Sequence, residues 1–390
     1  MKIIKIFISS SCELEKEREV LADVAMNLNY KFEKEGISIV LVKWEYVDPS
    51  STDSRKQDEY NQKLKECERC IVMFWKKVGK YTKEELNEAY LAQNEGLNPK
   101  KINILFKFED ESELNDYKDV QKIYEDEYKS RDRFPERFYN IDSLKAKFLE
   151  YFIESIKPYI GDREFVTIEN GQAKIDGKVY VELSQLHCFS KNDDFARLER
   201  DIRKTERLLS VTDPDDPDYL EYARDLNDLR KKKADMEKSI WNTSLELARM
   251  ANERCSDRLR RAIAMLENGD NKGAEALLNE EEIAHDVKAN QEKIDIGKAG
   301  QEGLRININE YKAKINAIRN RMEDGWLDKV IKLYDDIIKA ARGYVEDEFF
   351  ADLLHEYALF LYNQKQYHLI QDKYCEALSI YRRAILNKTL

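Results

Sequence analysis

Long apolar runs are missing from this chain. No stretch approaches the roughly 20 residues that a membrane-crossing helix needs, so no membrane span is expected. Histidine is scarce too. The four are His187, His285, His355 and His368, which excludes a histidine-based triad in the N-terminal part. There is no G-x-G-x-x-G, no G-x-x-x-x-G-K-[S/T] and no G-x-S-x-G. The usual dinucleotide cradle, triphosphate cradle and nucleophile elbow are therefore absent. Cysteines are few and scattered, which fits reduced thiols in a soluble cytoplasmic protein better than a disulfide framework. Cys67 and Cys70 form a C-x-x-C, but it leads into the apolar run CIVMFW rather than opening a helix. No second Cys/His pair stands at zinc spacing. The pair reads as structural, and no metal is expected. Excess basic charge is also lacking. The net charge is −11, and the best basic cluster, Arg230 to Lys233, sits among acids as a solvated helix face. Nucleic acid is not an expected partner.

At 390 residues the chain calls for two or three domains. The N-terminal MKIIKIFISSS reads as a first strand over 3–10 and not as a signal peptide, because it runs directly into SCELEKERE. Residues 13–35 carry Val20, Leu21, Val24, Ala25, Leu28 and Phe32 at helical spacing, and Gly36 ends that helix. Strands are expected over 37–44, 70–75 and 102–108, with helices to about Arg69, over 83–95 and from Ser143 to Lys157. A charged helical stretch is expected over 111–132, and a polar loop over Glu45–Arg55. Alternating strand and helix predict an α/β domain over 1–160, a flavodoxin-like parallel sheet with helices on both faces.

Pro158 and Gly161 close that domain. Residues 161–190 carry two turn pairs, Asn170-Gly171 and Asp176-Gly177, and predict a small β-hairpin or three-stranded meander. From 191 the chain reads as all-α. A charged helical hairpin is expected over 191–250, turning at DPDDPD, 213–218. Residues 251–390 resemble tetratricopeptide-type helical repeats. In 258–282 a helix, a Gly-Asp turn and an Ala-rich second helix follow one another. In 349–385, Tyr357, Ala358, Leu361, Tyr367, Tyr374, Ala377 and Leu378 fall where two packed helices need large and small residues. The sequence stops soon after this unit with no polar capping helix. That is expected of a truncated chain, or of a last helix that pairs with another chain.

Ligands of doubly wound sheets bind at the carboxyl ends of the strands. Ser9, Ser10 and Ser11 follow strand one, Trp44, Glu45 and Tyr46 follow strand two, and Trp75 ends strand three. The segment 76–90 then opens the next helix with Glu84, Glu85 and Glu88. Chemistry here has carboxylates to work with. The bland alternatives are that these acids favour a helix N-terminus and that the serines cap a helix.

IFISSS followed by ELEKERE, the strand CIVMFW, and YTKEELNEA ahead of KKINILFKF together resemble a TIR-type domain, of the bacterial subgroup often found before helical repeats. The resemblance covers about the first 160 residues. It departs from the family where Ser-Ser-Ser-Cys-Glu follows strand one and where the loop after strand two lacks an Arg-Asp-Pro signature. Enzymes of the family cleave the nicotinamide–ribose bond of NAD, and its non-enzymatic members are adaptors that self-associate. The pattern E-[L/I]-x-x-A matches Glu85-Leu86-Asn87-Glu88-Ala89. The resemblance thus implies Glu85 as the catalytic carboxylate, with Glu84 and Glu88 as register alternatives. It also implies NAD+ as substrate rather than cofactor, cleaved by a hydrolase or a cyclase, a homo-oligomer, and a helical half that senses a trigger or protein partner in bacterial defence or stress signalling. A nucleoside N-glycosidase or deoxyribosyltransferase shares this architecture and remains an alternative, as does a non-enzymatic scaffold.

Glu85 also has a physical case. Nicotinamide leaves NAD from a cationic ring and needs no general acid, so one carboxylate beside the ribose suffices to stabilise an oxocarbenium-like transition state. Ser9 and Ser10 are expected to line the substrate site, and Trp44, Tyr46 or Trp75 to stack on a ring of the substrate. Glu85 itself is expected to be partly exposed.

Overall fold

A computed structural model describes residues 2–43, 56–130, 136–161, 164–251, 255–294 and 299–389. The chain divides into two compact units, 1–190 with 241–255, and 191–240 with 256–390.

The first unit is the α/β half. Its elements are β1 (Lys2–Ser10), α1 (Glu15–Phe32), β2 (Ile37–Val42), α2 (Lys56–Lys65), β3 (Arg69–Phe74), α3 (Lys80–Asn94), β4 (Lys101–Lys107), α4 (Lys118–Ser130), β5 (Glu136–Phe138) and α5 (Ile141–Ile160). The five strands form one parallel sheet in the order β2-β1-β3-β4-β5, as the alternating pattern predicts. β3 and β4 are buried along nearly their whole length and β1 from Ile6 to Ser9, which is why their centres read as β-branched and apolar runs. On one face Phe7, Val72, Phe74, Ile104 and Phe106 pack with Tyr60 and Leu64 of α2, Leu86 and Ala89 of α3, and Tyr124 of α4. The other face meets α1 and α5, where Phe32 and Phe152 pack edge to face.

Three boundaries differ from expectation. α3 begins at Lys80, because Gly79 takes the extended N-cap position. α5 runs through Pro158, which stands in its last turn, and stops at Gly161, whose φ is 67°. β5 is only three residues long and has no apolar run to announce it.

A small antiparallel sheet follows, β6 (Thr167–Glu169), β7 (Gln172–Ile175) and β8 (Lys178–Glu182), so the region 161–190 holds three strands rather than a simple hairpin. Asn170 and Asp176 take positive φ ahead of Gly171 and Gly177, as both turn pairs demand. This sheet is fastened to the α/β layer. Phe165 packs on Phe32, Lys178 donates to Asn27 at 2.6 Å, and Lys31 pairs with Asp176. The four-residue α6 (His187–Ser190) stacks His187 on Tyr139 at 3.6 Å between ring centroids.

The second unit is helical. Its elements are α7 (Asp193–Val211), α8 (Pro217–Ala251), α9 (Asp257–Glu267), α10 (Asn271–Leu277), α11 (Glu280–Ile294), α12 (Ala299–Arg321), α13 (Trp326–Ala341), α14 (Asp347–Asn363) and α15 (Ile370–Thr389), with the last eleven residues of α8 counted in the first unit. Consecutive helices pack in pairs, α9 on α10, α11 on α12, α12 on α13 and α14 on α15. The turn between α9 and α10 needs Gly269. Its φ is 77°, and a Cβ there would meet the backbone nitrogen of Asn192 at 2.9 Å. Tyr357, Ala358, Leu361 and Ala377 are buried as their spacing predicts. Tyr367, Tyr374 and Leu378 are exposed, which corrects that part of the expectation: α15 buries Ala377 and Ile380, and Tyr374 and Leu378 lie off that stripe.

Candidate active site

The order β2-β1-β3 makes the crossover change direction between β1 and β3, and the carboxyl ends of these two strands form the switch point of the sheet. Ser9 lies at the end of β1, paired with Val72. It points to the α2–α3 face because strand residues alternate and Phe7 does the same. The second turn of α3 brings Glu85 to that point.

Glu85 is only 5% exposed, not partly exposed as the sequence suggests. It shares a helical stripe with Leu86 and Ala89, which anchor α3 on the sheet and draw the carboxyl inward. Ser9 Oγ donates to its Oε2. Gln57 Nε2 donates to its Oε1 at 2.9 Å. Burial pushes its pKa up, the Ser9 and Gln57 hydrogen bonds pull it back, and nearby Glu84 raises it again. Among the described residues no cation pairs with it. The result is a buried carboxylate held by two neutral donors.

The register alternatives separate from it. Glu84 accepts from Asn61 Nδ2 at 3.2 Å, and Glu88 pairs with Lys65 at 3.0 Å. Both are part-exposed, so Glu85 alone of the three is buried.

The other expected residues divide. Ser9 joins Glu85, and Ser10 does not. As the next strand residue, Ser10 faces α1, where it accepts from Arg18 Nη1 at 2.6 Å. Ser11 takes the N-cap position of a short turn at 12–14 without a side-chain cap bond. Trp75 stands one residue past β3, and its ring carries the Lys107 ammonium at 3.9 Å and that of Lys76 at 4.2 Å. The indole is engaged in cation–π contacts with both ammonium groups. Trp44, Tyr46 and the loop Glu45–Arg55 lie outside the described residues.

Sequence reasoning missed Gln57 and Asn61. Gln57 Nε2 also donates to Asn61 Oδ1 at 3.1 Å. Their signal is readable: residues 57, 60, 61 and 64 form one helical stripe, and two amides on a stripe shared with Tyr60 and Leu64 are polar residues on a core-facing side. Cys70 sits under this cluster, fully buried. Burial and the Glu85 charge raise its thiol well above the usual range, and burial pushes Cys67 up to about 12. Neither thiol has the thiolate character of a redox nucleophile.

The site offers a general electrostatic device: a buried carboxylate with, among the described residues, no counter-ion of its own. The chain matches none of the protein-family models, curated proteins or solved structures with which it was compared, so its chemistry has to be argued from Glu85, Ser9 and Gln57 themselves.

Proposed function

We propose that the α/β unit is a TIR-like NAD+ glycohydrolase that cleaves the nicotinamide–ribose bond, with Glu85 as the catalytic carboxylate. One observation carries the reading: Glu85 is buried at the switch point of the sheet with neutral donors and, among the described residues, no cation. Such a group is costly to keep ionised in the resting state, and a positive charge forming beside it relieves that cost. The ribosyl oxocarbenium of a departing nicotinamide is such a charge. The interaction is stronger in the transition state than in the ground state, which is the requirement for catalysis. Water then adds to the ribosyl carbon, the glycosidic C–N bond having broken with its electron pair on nicotinamide, and one proton is released. Ser9 and Gln57 act as positioning residues that fix both carboxylate oxygens and favour the ionised form.

The helical unit serves as the platform for assembly and for a trigger or protein partner, in a defence or stress-signalling role. The test is incubation of the full-length protein with NAD+, following free nicotinamide, beside a Glu85→Gln variant shown to be folded. Release that depends on Glu85 supports the reading. A parent protein that releases nothing, dilute or concentrated, points to the non-enzymatic scaffold. Release from nucleosides but not from NAD+ points to the N-glycosidase.

A further inference from the structure

The tip of the α7–α8 hairpin carries charges of both signs that have no ion-pair partner among the described residues. α7 turns Phe195, Leu198 and Ile202 inward, and the pairs Glu206–Arg230 and Glu199–Lys233, both at 2.8 Å, hold it antiparallel to α8. Its opposite face presents Arg200, Arg203, Lys204 and Arg207 at i, i+3, i+4 and i+7, followed by Leu208 and Val211. These six residues line one shallow groove of about 460 Å3. All four cations are exposed, and none has an ion pair among the described residues.

The turn that follows is of opposite sign. Asp213, Asp215, Asp216 and Asp218 are exposed and likewise lack a cation. Asp213 and Asp216 spend one oxygen each on turn-forming bonds from the N–H groups of Asp215 and Asp218, at 3.0 and 2.9 Å. Between the two charge blocks stands Val211, 81% exposed, and just beyond the turn Leu220, 69% exposed. Along the tip the order is therefore cations, exposed apolar residues, anions.

We propose that this tip is a two-fold contact between two copies of the chain. A contact related by a two-fold axis uses the same patch on both copies, so the patch has to complement itself. A sequence of plus, apolar, minus does so when reversed. With the axis near Val211, each copy's arginines face the other's aspartates and the apolar residues meet at the centre. A polyanion fits less well. The chain carries a net charge of −11, which repels nucleic acid and anionic membranes at long range, and neither would use the exposed valine and leucines. The stripe from Arg200 to Val211 is ~16 Å long at 1.5 Å per residue, short for a stable interface, so the contact is weak and sensitive to salt.

The experiment is sedimentation velocity on the full-length chain, from about 1 to about 100 μM, the range in which weak contacts are populated. The parent should form a reversible dimer in about 0.05 M salt and lose it in about 0.5 M, where the Debye length falls to about 4 Å and exposed charge pairs are strongly weakened. One variant carries Arg203→Glu with Arg207→Glu, and a second carries Asp215→Lys with Asp216→Lys. Each alone should weaken self-association at least about tenfold, since like charges now meet. Mixed together they should pair with each other, because an acidic stripe then faces a basic tip and a basic stripe an acidic tip. That recovery also shows that both variants fold. A parent that stays monomeric throughout, or two variants that ignore each other when mixed, overturns the proposal. So does parent protein that binds heparin or anionic vesicles through Arg203 and Arg207 without self-associating, which would give the stripe to a polyanion.

Discussion

The same five-stranded sheet holds two buried polar clusters, and they are built on opposite rules. On the α5 face, towards the amino ends of the strands, Arg69 is the hub. Its Nη1 donates to Asn103 Oδ1 at 2.5 Å, its Nη2 to Glu154 at 2.6 Å, and its guanidinium lies 5.3 Å from the Tyr151 ring centre. Asn103 passes the network to Glu136 at 3.2 Å, Lys147 pairs with Glu136 at 3.2 Å and Lys101 with Glu154 at 3.0 Å. Glu136 and Glu154 there each have a cation. On the α2–α3 face, at the carboxyl ends, Glu85 has, among the described residues, the neutral donors Ser9 and Gln57 and no cation. A balanced cluster of buried charge holds a fold in register, whereas an unbalanced one keeps a charge available for something that arrives.

The largest effect expected from breaking this contrast is on stability. Arg69→Met removes the hub, leaves Asn103 Oδ1 without its donor and leaves Glu154 with Lys101 alone, and a buried pair broken on one side costs about 3–5 kcal/mol. Chemical denaturation of the variant measures it. A loss below about 1 kcal/mol, the scale of an exposed pair, would mean that the cluster is not a structural clamp.

Glu85→Gln should do the reverse, sparing the fold and removing the activity. Glutamine keeps the shape and can still meet Ser9, and Gln57 can turn its amide to match, so stability should change by no more than about 1 kcal/mol, within the ordinary range for single substitutions. Nicotinamide release should fall by about 10²–10³, the scale of losing one preorganised electrostatic group. Undiminished release from a folded variant would remove Glu85 from the mechanism. An equal loss in Glu84→Gln or Glu88→Gln would mean that the motif register is wrong.

Acid sharpens the comparison because the two clusters answer it with opposite signs. Glu85 has its pKa raised by burial, so between the ordinary carboxylate range and that raised value the folded chain holds a proton that the unfolded chain lacks. Its contribution to stability is therefore lost as pH rises through the folded pKa and grows as pH falls. Glu154 is raised by burial, but Arg69 and Lys101 outweigh this and leave it lowered. Its contribution is present above the unfolded pKa and fades as pH falls through the folded one. Denaturation from neutral pH into the carboxylate range should thus show the parent gaining on Glu85→Gln and losing its margin over Glu154→Gln. Parallel curves for the two variants would erase the distinction.

Much of this arrangement is readable from the chain. The apolar runs at the centres of β1, β3 and β4 announce a sheet covered on both faces, and alternation with helices announces its parallel sense. Strand alternation alone separates Ser9 from Ser10, since neighbours cannot both face Glu85. Other features depend on distant residues. Nothing near Trp75 says that Lys107, 32 positions later, covers its ring. β5 is too short to carry a pattern. Gln57 hid because α2 is mostly polar, and a polar residue gains meaning there only from lying on the stripe of Tyr60 and Leu64 that the sheet buries. Arg69 and Asn103 sit inside strands that otherwise read as core, and only the helix α5 packed above them explains why they are tolerated there.

The smallest effect tests whether Glu85 is the group whose ionisation limits the reaction, and it uses the donors rather than the acid. Gln57→Leu removes one of the two hydrogen bonds that favour the carboxylate and leaves burial less opposed. The pKa of Glu85 then moves further up, and the acid limb of the pH–rate profile for nicotinamide release moves to higher pH with it. Well above that limb the carboxylate is ionised in both proteins, so the plateau rate should be nearly unchanged. Ser9→Ala should shift the limb in the same direction. A purely structural role for Gln57 predicts something else, a lower plateau with the limb in place, because fewer molecules are correctly folded but their titration is unaltered. Asn61→Ala is the control, since Asn61 bonds Gln57 and Glu84 but not Glu85. A limb that stays fixed in Gln57→Leu and Ser9→Ala would show that another group sets the profile. The unbalanced charge at the switch point would then have to be explained without catalysis.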